Sequence, residues 1–136
     1  MFDLKFSTNW NRKLFQNHFT TFRIYDQHKH RQNEIFHIIP PDNCDFMPPF
    51  DAWIQWVRVT KLRDVDPMFC ILDTGYQKDA FIAIVLNMYK NKKIDIFEQD
   101  FVILVLVRCE LLKLNMNIFS LPYSKTAVAT TQKALL

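Results

Sequence analysis

A hydroxyl and a guanidinium two positions apart, Thr21 and Arg23, are the residues here whose types and spacing most directly suggest chemistry. They lie in Phe19–Tyr25, a stretch rich in aromatic and β-branched side chains, which suit a pleated, half-buried surface and predict a strand. Side chains alternate faces along a strand, so one face carries Phe19, Thr21, Arg23 and Tyr25, and the other Thr20, Phe22 and Ile24. The second is the expected core face. On the first, Thr21 and Arg23 stand side by side between two aromatic rings. Arginine is seldom buried without a partner, so Arg23 should look onto water, a carboxylate or a bound anion.

Plainer roles exist for both residues. Thr21 suits a strand simply by being β-branched. Arg23 can equally pair with a surface carboxylate, an arrangement worth little energetically. Elsewhere, His28, His30, His37 and Cys44 could suggest a metal, but their spacing matches no familiar zinc pattern, and neither a metal nor a cofactor is expected. The clusters His28-Lys29-His30-Arg31 and Lys90-Lys92-Lys93 are ordinarily solvated surface. With Tyr25, Trp53 or Trp56 beside them they would form a basic, aromatic platform for stacking bases. Core positions are the simpler expectation for the tryptophans.

The elements that must position these residues follow from local pattern. Leu4–Phe6 predicts a short edge strand. Ser7 or Thr8 can cap a short helix through Gln16, whose apolar stripe is Trp10, Leu14 and Phe15. After the Thr21 strand, Asp26–Asn33 reads as an exposed loop. Glu34–Ile39 is a second strand, stopped by Pro40-Pro41. Asp42–Met47 is an irregular connection closed by Pro48-Pro49. Phe50–Leu62 predicts a long strand whose imperfect alternation implies a bulge or a change of face. Asp64–Asp66 and Pro67 turn the chain. Thr74 with Gln77 fits a capping box. It opens a helix with Phe81, Ile82, Val85, Leu86 and Tyr89 on one face, ended by Asn91–Lys93. Phe101–Cys109, nearly continuous Val, Ile and Leu, predicts a strand buried on both faces. Residues 116–136 read as a loosely held tail behind one domain over residues 1–115.

Composition narrows the function. A chain of 136 residues, 49% hydrophobic and 23% charged, can close a real core as one domain. Its single glycine, Gly75, excludes Gly-rich phosphate loops and dinucleotide fingerprints, which need several. A net charge of +3 permits nucleic-acid contact without demanding it. Three widely spaced cysteines, Cys44, Cys70 and Cys109, fit a reducing compartment better than a disulfide framework. The N-terminus carries no apolar run like a signal peptide. Arg108, Glu110 and Lys113 interrupt the most apolar segment, Phe101–Phe119. A soluble cytoplasmic protein without a membrane partner is the expectation.

The segment Phe6-Ser7-Thr8-Asn9-Trp10-Asn11-Arg12-Lys13-Leu14, followed by Phe19-Thr20-Thr21-Phe22-Arg23, resembles the opening of ASCH domains. These are a branch of the PUA-like superfamily, small β-barrels flanked by helices and associated with RNA and modified nucleosides. Leu72-Asp73-Thr74-Gly75-Tyr76, the helix ending in Met88-Tyr89 and the strand Phe101–Val107 fall where that family has its second helix and closing strand. The resemblance spans roughly residues 2–109. It implies an α+β barrel of five or six strands with two main helices, and RNA or a modified nucleoside as partner. Its acetylcytidine amidohydrolase branch uses a lysine, a threonine three residues later and a carboxylate before the second helix. Thr21 matches the threonine, His18 stands where the lysine would be, and Asp73 replaces a glutamate.

That match gives a concrete scheme. His18 would take the proton of Thr21 so that the hydroxyl can attack. Asp73 would orient the base or protonate a leaving nitrogen, and Arg23 would hold the developing oxyanion. Structural alternatives stand beside it: His18 capping helix carbonyls, and Asp73 meeting a helix dipole. The expected site is therefore a cleft with Thr21, His18 and Asp73 as catalytic candidates, and Arg23, Tyr25, Thr21, Asp73 and Tyr76 as ligand-binding ones. Three uses are open: an RNA- or nucleotide-binding module, an amidohydrolase of an acylated nucleoside, or a protein-interaction module without a small ligand.

Overall fold

The computed structural model describes residues 1–44 and 47–109. Its strands are β1 (Phe2–Lys5), β2 (His18–Ile24), β3 (Ile35–Ile39), β4 (Phe50–Thr60) and β5 (Phe101–Arg108). Two helices, α1 (Pro67–Thr74) and α2 (Lys78–Met88), lie between β4 and β5. The sheet order is β1-β3-β4-β5-β2, with β1 parallel to β3 and the other neighbours antiparallel. The class is α+β: a five-stranded mixed sheet curled into a half-barrel, with two main helices. β1 and β2 are its two edges.

Two apolar clusters form because β5 is an interior strand, between β4 and β2, and contributes both faces. Val102, Leu104 and Leu106 join Leu4, Phe19, Phe36, Ile38 and Ile54 in the first. Phe101 and Ile103 join Phe22, Leu62, Phe81 and Val85 in the second, under the helices. An uninterrupted Val/Ile/Leu run is what two-sided burial requires. The same holds for β2, and here the expectation of a single core face is corrected. Phe19 is buried in one cluster and Phe22 in the other, so both faces of this strand are covered.

The irregular alternation of β4 is a bulge. Ile54 pairs with Leu106, yet Trp56 pairs with Val105 and Val57 with Leu104. One extra residue flips the parity, so the buried even positions Phe50, Ala52 and Ile54 hand over to Val57, which packs against the same cluster. The flip also puts Trp56 on the surface, 46% exposed, where a core position was expected.

The helical signals were displaced. Asp66 caps α1, its side chain accepting from the Met68 amide, with Pro67 at the first position. The predicted turn at Asp64–Pro67 is thus a helix start. Gly75 (φ 82°) ends α1, donating its amide to the Ile71 carbonyl. Asp73 and Thr74 close one helix rather than opening the next. Thr74 makes no capping box: its hydroxyl donates to the Cys70 carbonyl, and α2 starts after Gln77 without a side-chain cap. The predicted helix at Trp10 is a 3-10 segment, Trp10–Phe15, broken by left-handed Asn11 (φ 55°) and Arg12 (φ 53°). Its anchor is Asn9, whose Oδ1 accepts from the Leu14 amide, rather than Ser7 or Thr8. His30, expected in an exposed loop, is buried: its Nδ1 accepts from the Asp26 amide and its ring lies against Phe36.

Among the described residues no helix is long and apolar enough to cross a membrane. Cys44, Cys70 and Cys109 are buried and not joined in disulfides. The predicted tail, residues 116–136, lies outside the described residues.

Candidate functional site

Curling the sheet turns its two edges toward each other, and Arg23 reaches across. From β2 its Nη2 donates to the Lys5 carbonyl at the end of β1, 2.8 Å away. Its Nε donates to Thr21 Oγ1 at 2.9 Å, and its guanidinium lies 4.6 Å from the Phe6 ring centroid. The surface-carboxylate reading of Arg23 gives way to a hydroxyl and a carbonyl. Two of its five N–H groups are used in these bonds, which leaves a fork for a ligand. Burial lowers the Arg23 pKa, opposed by the nearby Tyr89 and Asp73. A guanidinium titrates so high that it stays charged at neutral pH.

A cavity of about 350 Å³ opens at this seam. Its floor is apolar, from Phe22, Phe81 and Val85; Thr21, Arg23, Lys13 and Asp73 face it. The volume is at the lower end of ligand pockets, and a few polar groups converging on an apolar floor is their usual chemistry.

Asp73 is held by two partners at the same oxygen. Lys13 Nζ and Thr20 Oγ1 both donate to its Oδ1, each at 2.7 Å. Oδ2 is left for a ligand. At the C-terminal end of α1 a carboxylate meets the unfavourable pole of the helix dipole, the reverse of the role expected for Asp73 at a helix start. The Lys13 ammonium compensates. Both side chains are nearly dry, 7% and 6% exposed. Burial lowers the Lys13 pKa, with the Asp73 charge and hydrogen bond opposing and Arg23 adding to the lowering.

The 3-10 segment explains how Lys13 gets there. Asn11 Nδ2 donates to the Ile71 and Leu72 carbonyls, capping the end of α1 from outside. The Asn11 side chain rests over Gly75, where a Cβ would come within 3.4 Å of its Oδ1. With Asn11 clamped on α1, Lys13 falls opposite Asp73. Two successive left-handed non-glycine residues store strain, a feature that concentrates at functional sites.

The other candidates are placed apart. His18 begins β2, opposite Val107, with an exposed side chain, and does not line the cavity. Three strand steps separate it from Thr21, about 10 Å of rise. Tyr25 lies beyond Arg23, on a second hollow that Arg23 also borders. Tyr76, 49% exposed, stands edge-on to the cavity residue Trp10, ring centroids 5.8 Å apart. Lys13 is the residue that sequence reasoning missed, because its burial opposite Asp73 comes from a contact between segments far apart in the chain. Among the described residues no cluster of three or more His, Cys, Asp or Glu could hold a metal ion.

The arrangement can bind an anion on the Arg23 fork, hydrogen-bond a neutral edge through Thr21 and Asp73, and cover an apolar or planar body. Of the charged residues at the cavity, Lys5, Lys13 and Arg23 outnumber Asp73, so its field favours negative ligands. Comparison with protein-family models, curated proteins and solved structures finds no match.

Proposed function

We propose that this chain is a PUA-like domain of the ASCH type that binds RNA or a nucleotide-like ligand in the seam cleft of Thr21, Arg23 and Asp73. The observation that carries the reading is Arg23, fixed by Thr21 Oγ1 and the Lys5 carbonyl yet keeping donors free beside an apolar-floored cavity. Pre-positioning of this kind reduces the entropy lost when a ligand docks. Calorimetric titration with uridine monophosphate tests it. Arg23→Ala should lose a charge-assisted contact, roughly 1.5–3 kcal/mol or about ten- to a hundredfold in affinity. Circular dichroism should show the fold retained. Equal binding by wild type and variant removes the cleft from consideration.

A second reading, hydrolysis of an acylated nucleoside amide, is favoured by one observation. The Thr21 oxygen accepts from Arg23 Nε, which stabilises its alkoxide and leaves its own proton for a base. Lys13 lines the same cavity, whereas His18 is exposed outside it; to take the Thr21 proton, Lys13 would first have to pass its own to Asp73, its hydrogen-bond partner. Release of acetate from acetylcytidine that vanishes in Thr21→Ala and survives in His18→Ala would support it. No Thr21-dependent release would dispose of it.

A further inference from the structure

Lys29 and Lys92 belong to two basic clusters far apart in sequence, and the fold delivers both to one hollow. This hollow, about 710 Å³, adjoins the cleft; Arg23 lines both. It is the more polar and more open of the two, unsuited to enclosing a small molecule. Tyr25 and Tyr89 present half-buried rings there, Tyr89 braced edge-on against Phe101 at 5.7 Å.

We infer that this second hollow carries the phosphate backbone of a single-stranded nucleic acid, one of whose nucleotides occupies the cleft. The inference rests on the nucleotide reading of the cleft and extends it from a monomer to a chain. Arg23 is the hinge of the path: a phosphate on its free fork is reachable from either side. Lys29 and Lys92 then supply the next positive charges, and the tyrosine rings offer sequence-tolerant stacking. Two carboxylates also border the hollow, Asp3 and Asp26. Asp26 is turned into its own loop, its Oδ1 accepting from the His28 amide. His30 adds no charge, since its Nδ1 is an acceptor and burial lowers its pKa. A single strand offers its bases to the cleft without the unpairing that a duplex would first require.

The test compares fluorescein-labelled oligo(U) RNA by anisotropy, uridine monophosphate by calorimetry, and labelled polyglutamate as an acidic-protein surrogate. The Lys29→Gln/Lys92→Gln variant should bind oligo(U) roughly tenfold more weakly, with its salt slope shallower by about 1.4, close to 0.7 per lost phosphate contact. Its affinity for uridine monophosphate should not change, whereas Arg23→Ala should weaken both ligands. Wild-type oligo(U) affinity and slope in the double variant would overturn the hollow and leave the cleft standing. Preference for polyglutamate over oligo(U) would assign the hollow to an acidic protein segment and overturn it too. Wild-type protein that binds neither uridine monophosphate nor oligo(U) would remove the cleft reading itself.

Discussion

Two lysine–aspartate pairs in this molecule share a bond length and little else. Lys13–Asp73 and Lys61–Asp100 both close at 2.7 Å. The first is 7% and 6% exposed, inside the cleft; the second is 41% and 54% exposed, where β4 leaves toward the helices. In water, an ion pair trades one set of good contacts for another and its net worth is small. In the cleft, each ion has given up hydration that its partner only partly replaces. The pKa shifts carry opposite signs accordingly. Lys13 is lowered, chiefly by burial, while Lys61 is raised, chiefly by its hydrogen bond to Asp100. A buried pair of this kind is weak evidence for stability. The pair also lines the cavity wall, where the proposed ligand would meet it.

The largest effect should come from breaking the inner pair on one side only. Lys13→Met or Asp73→Leu leaves a dry, uncompensated charge and should cost about 3–5 kcal/mol in a urea unfolding curve. The Lys13→Met/Asp73→Leu double variant should recover most of that. If the double variant loses the sum of the two singles, the two side chains are not coupled and the contrast with Lys61–Asp100 fails.

Next comes Arg23→Ala, which removes the link between the two sheet edges. Two hydrogen bonds at about 0.5–1.5 kcal/mol each make a loss of about 1–3 kcal/mol, readable in the same assay. Loss of amide protection confined to β1 and β2 would show that the guanidinium works as a strap. Protection unchanged at those strands would refute the strap.

The pH dependence sharpens the comparison further, because the two lysines act in opposite directions. Lys13 binds its proton less readily folded than unfolded. Its contribution is therefore unfavourable at neutral pH, and stability rises as pH climbs from its folded pKa toward 10.5. Lys61 binds its proton more readily folded, so its contribution is present below 10.5 and is lost above it. The difference between wild type and the inner double variant should thus shift in favour of wild type as pH rises toward 10.5. The difference between wild type and Lys61→Met should stay flat there and fall only beyond. Equal slopes for both would mean that burial does not distinguish the pairs. The smallest effect is Lys61→Met at neutral pH, where the melting temperature should stay within error of wild type.

The same contrast explains what the sequence could tell. The strands were legible because two-sided and alternating burial leave direct traces: β5 as an apolar run, β4 as an alternation broken where the bulge sits between Ile54 and Trp56. Thr21, Arg23 and Asp73 do line one cavity, and the local pattern around Thr21 and Arg23 was enough to single them out. The helix boundary misled because Thr74 and Gln77 satisfy a capping-box spacing, while Asp66, Pro67 and Gly75 supply the start and stop that the backbone uses. Lys13 was invisible for a different reason. Its burial depends on Asn11 clamping the end of α1, a contact across sixty residues that no local pattern records. His18, chosen because it stands where the resembled amidohydrolase branch has its lysine, sits outside the cavity, three strand steps from Thr21.

The central claim is that the seam cleft, with Arg23 at its mouth, is a binding site for a nucleotide-like anion. Backbone amide shifts during titration of the isotope-labelled protein with uridine monophosphate test it most directly. Perturbations centred on Thr21, Arg23 and Asp73, saturating together and absent in Arg23→Ala, are the expected result. Perturbations confined to the lysines at 90, 92 and 93, or none at all, would contradict it.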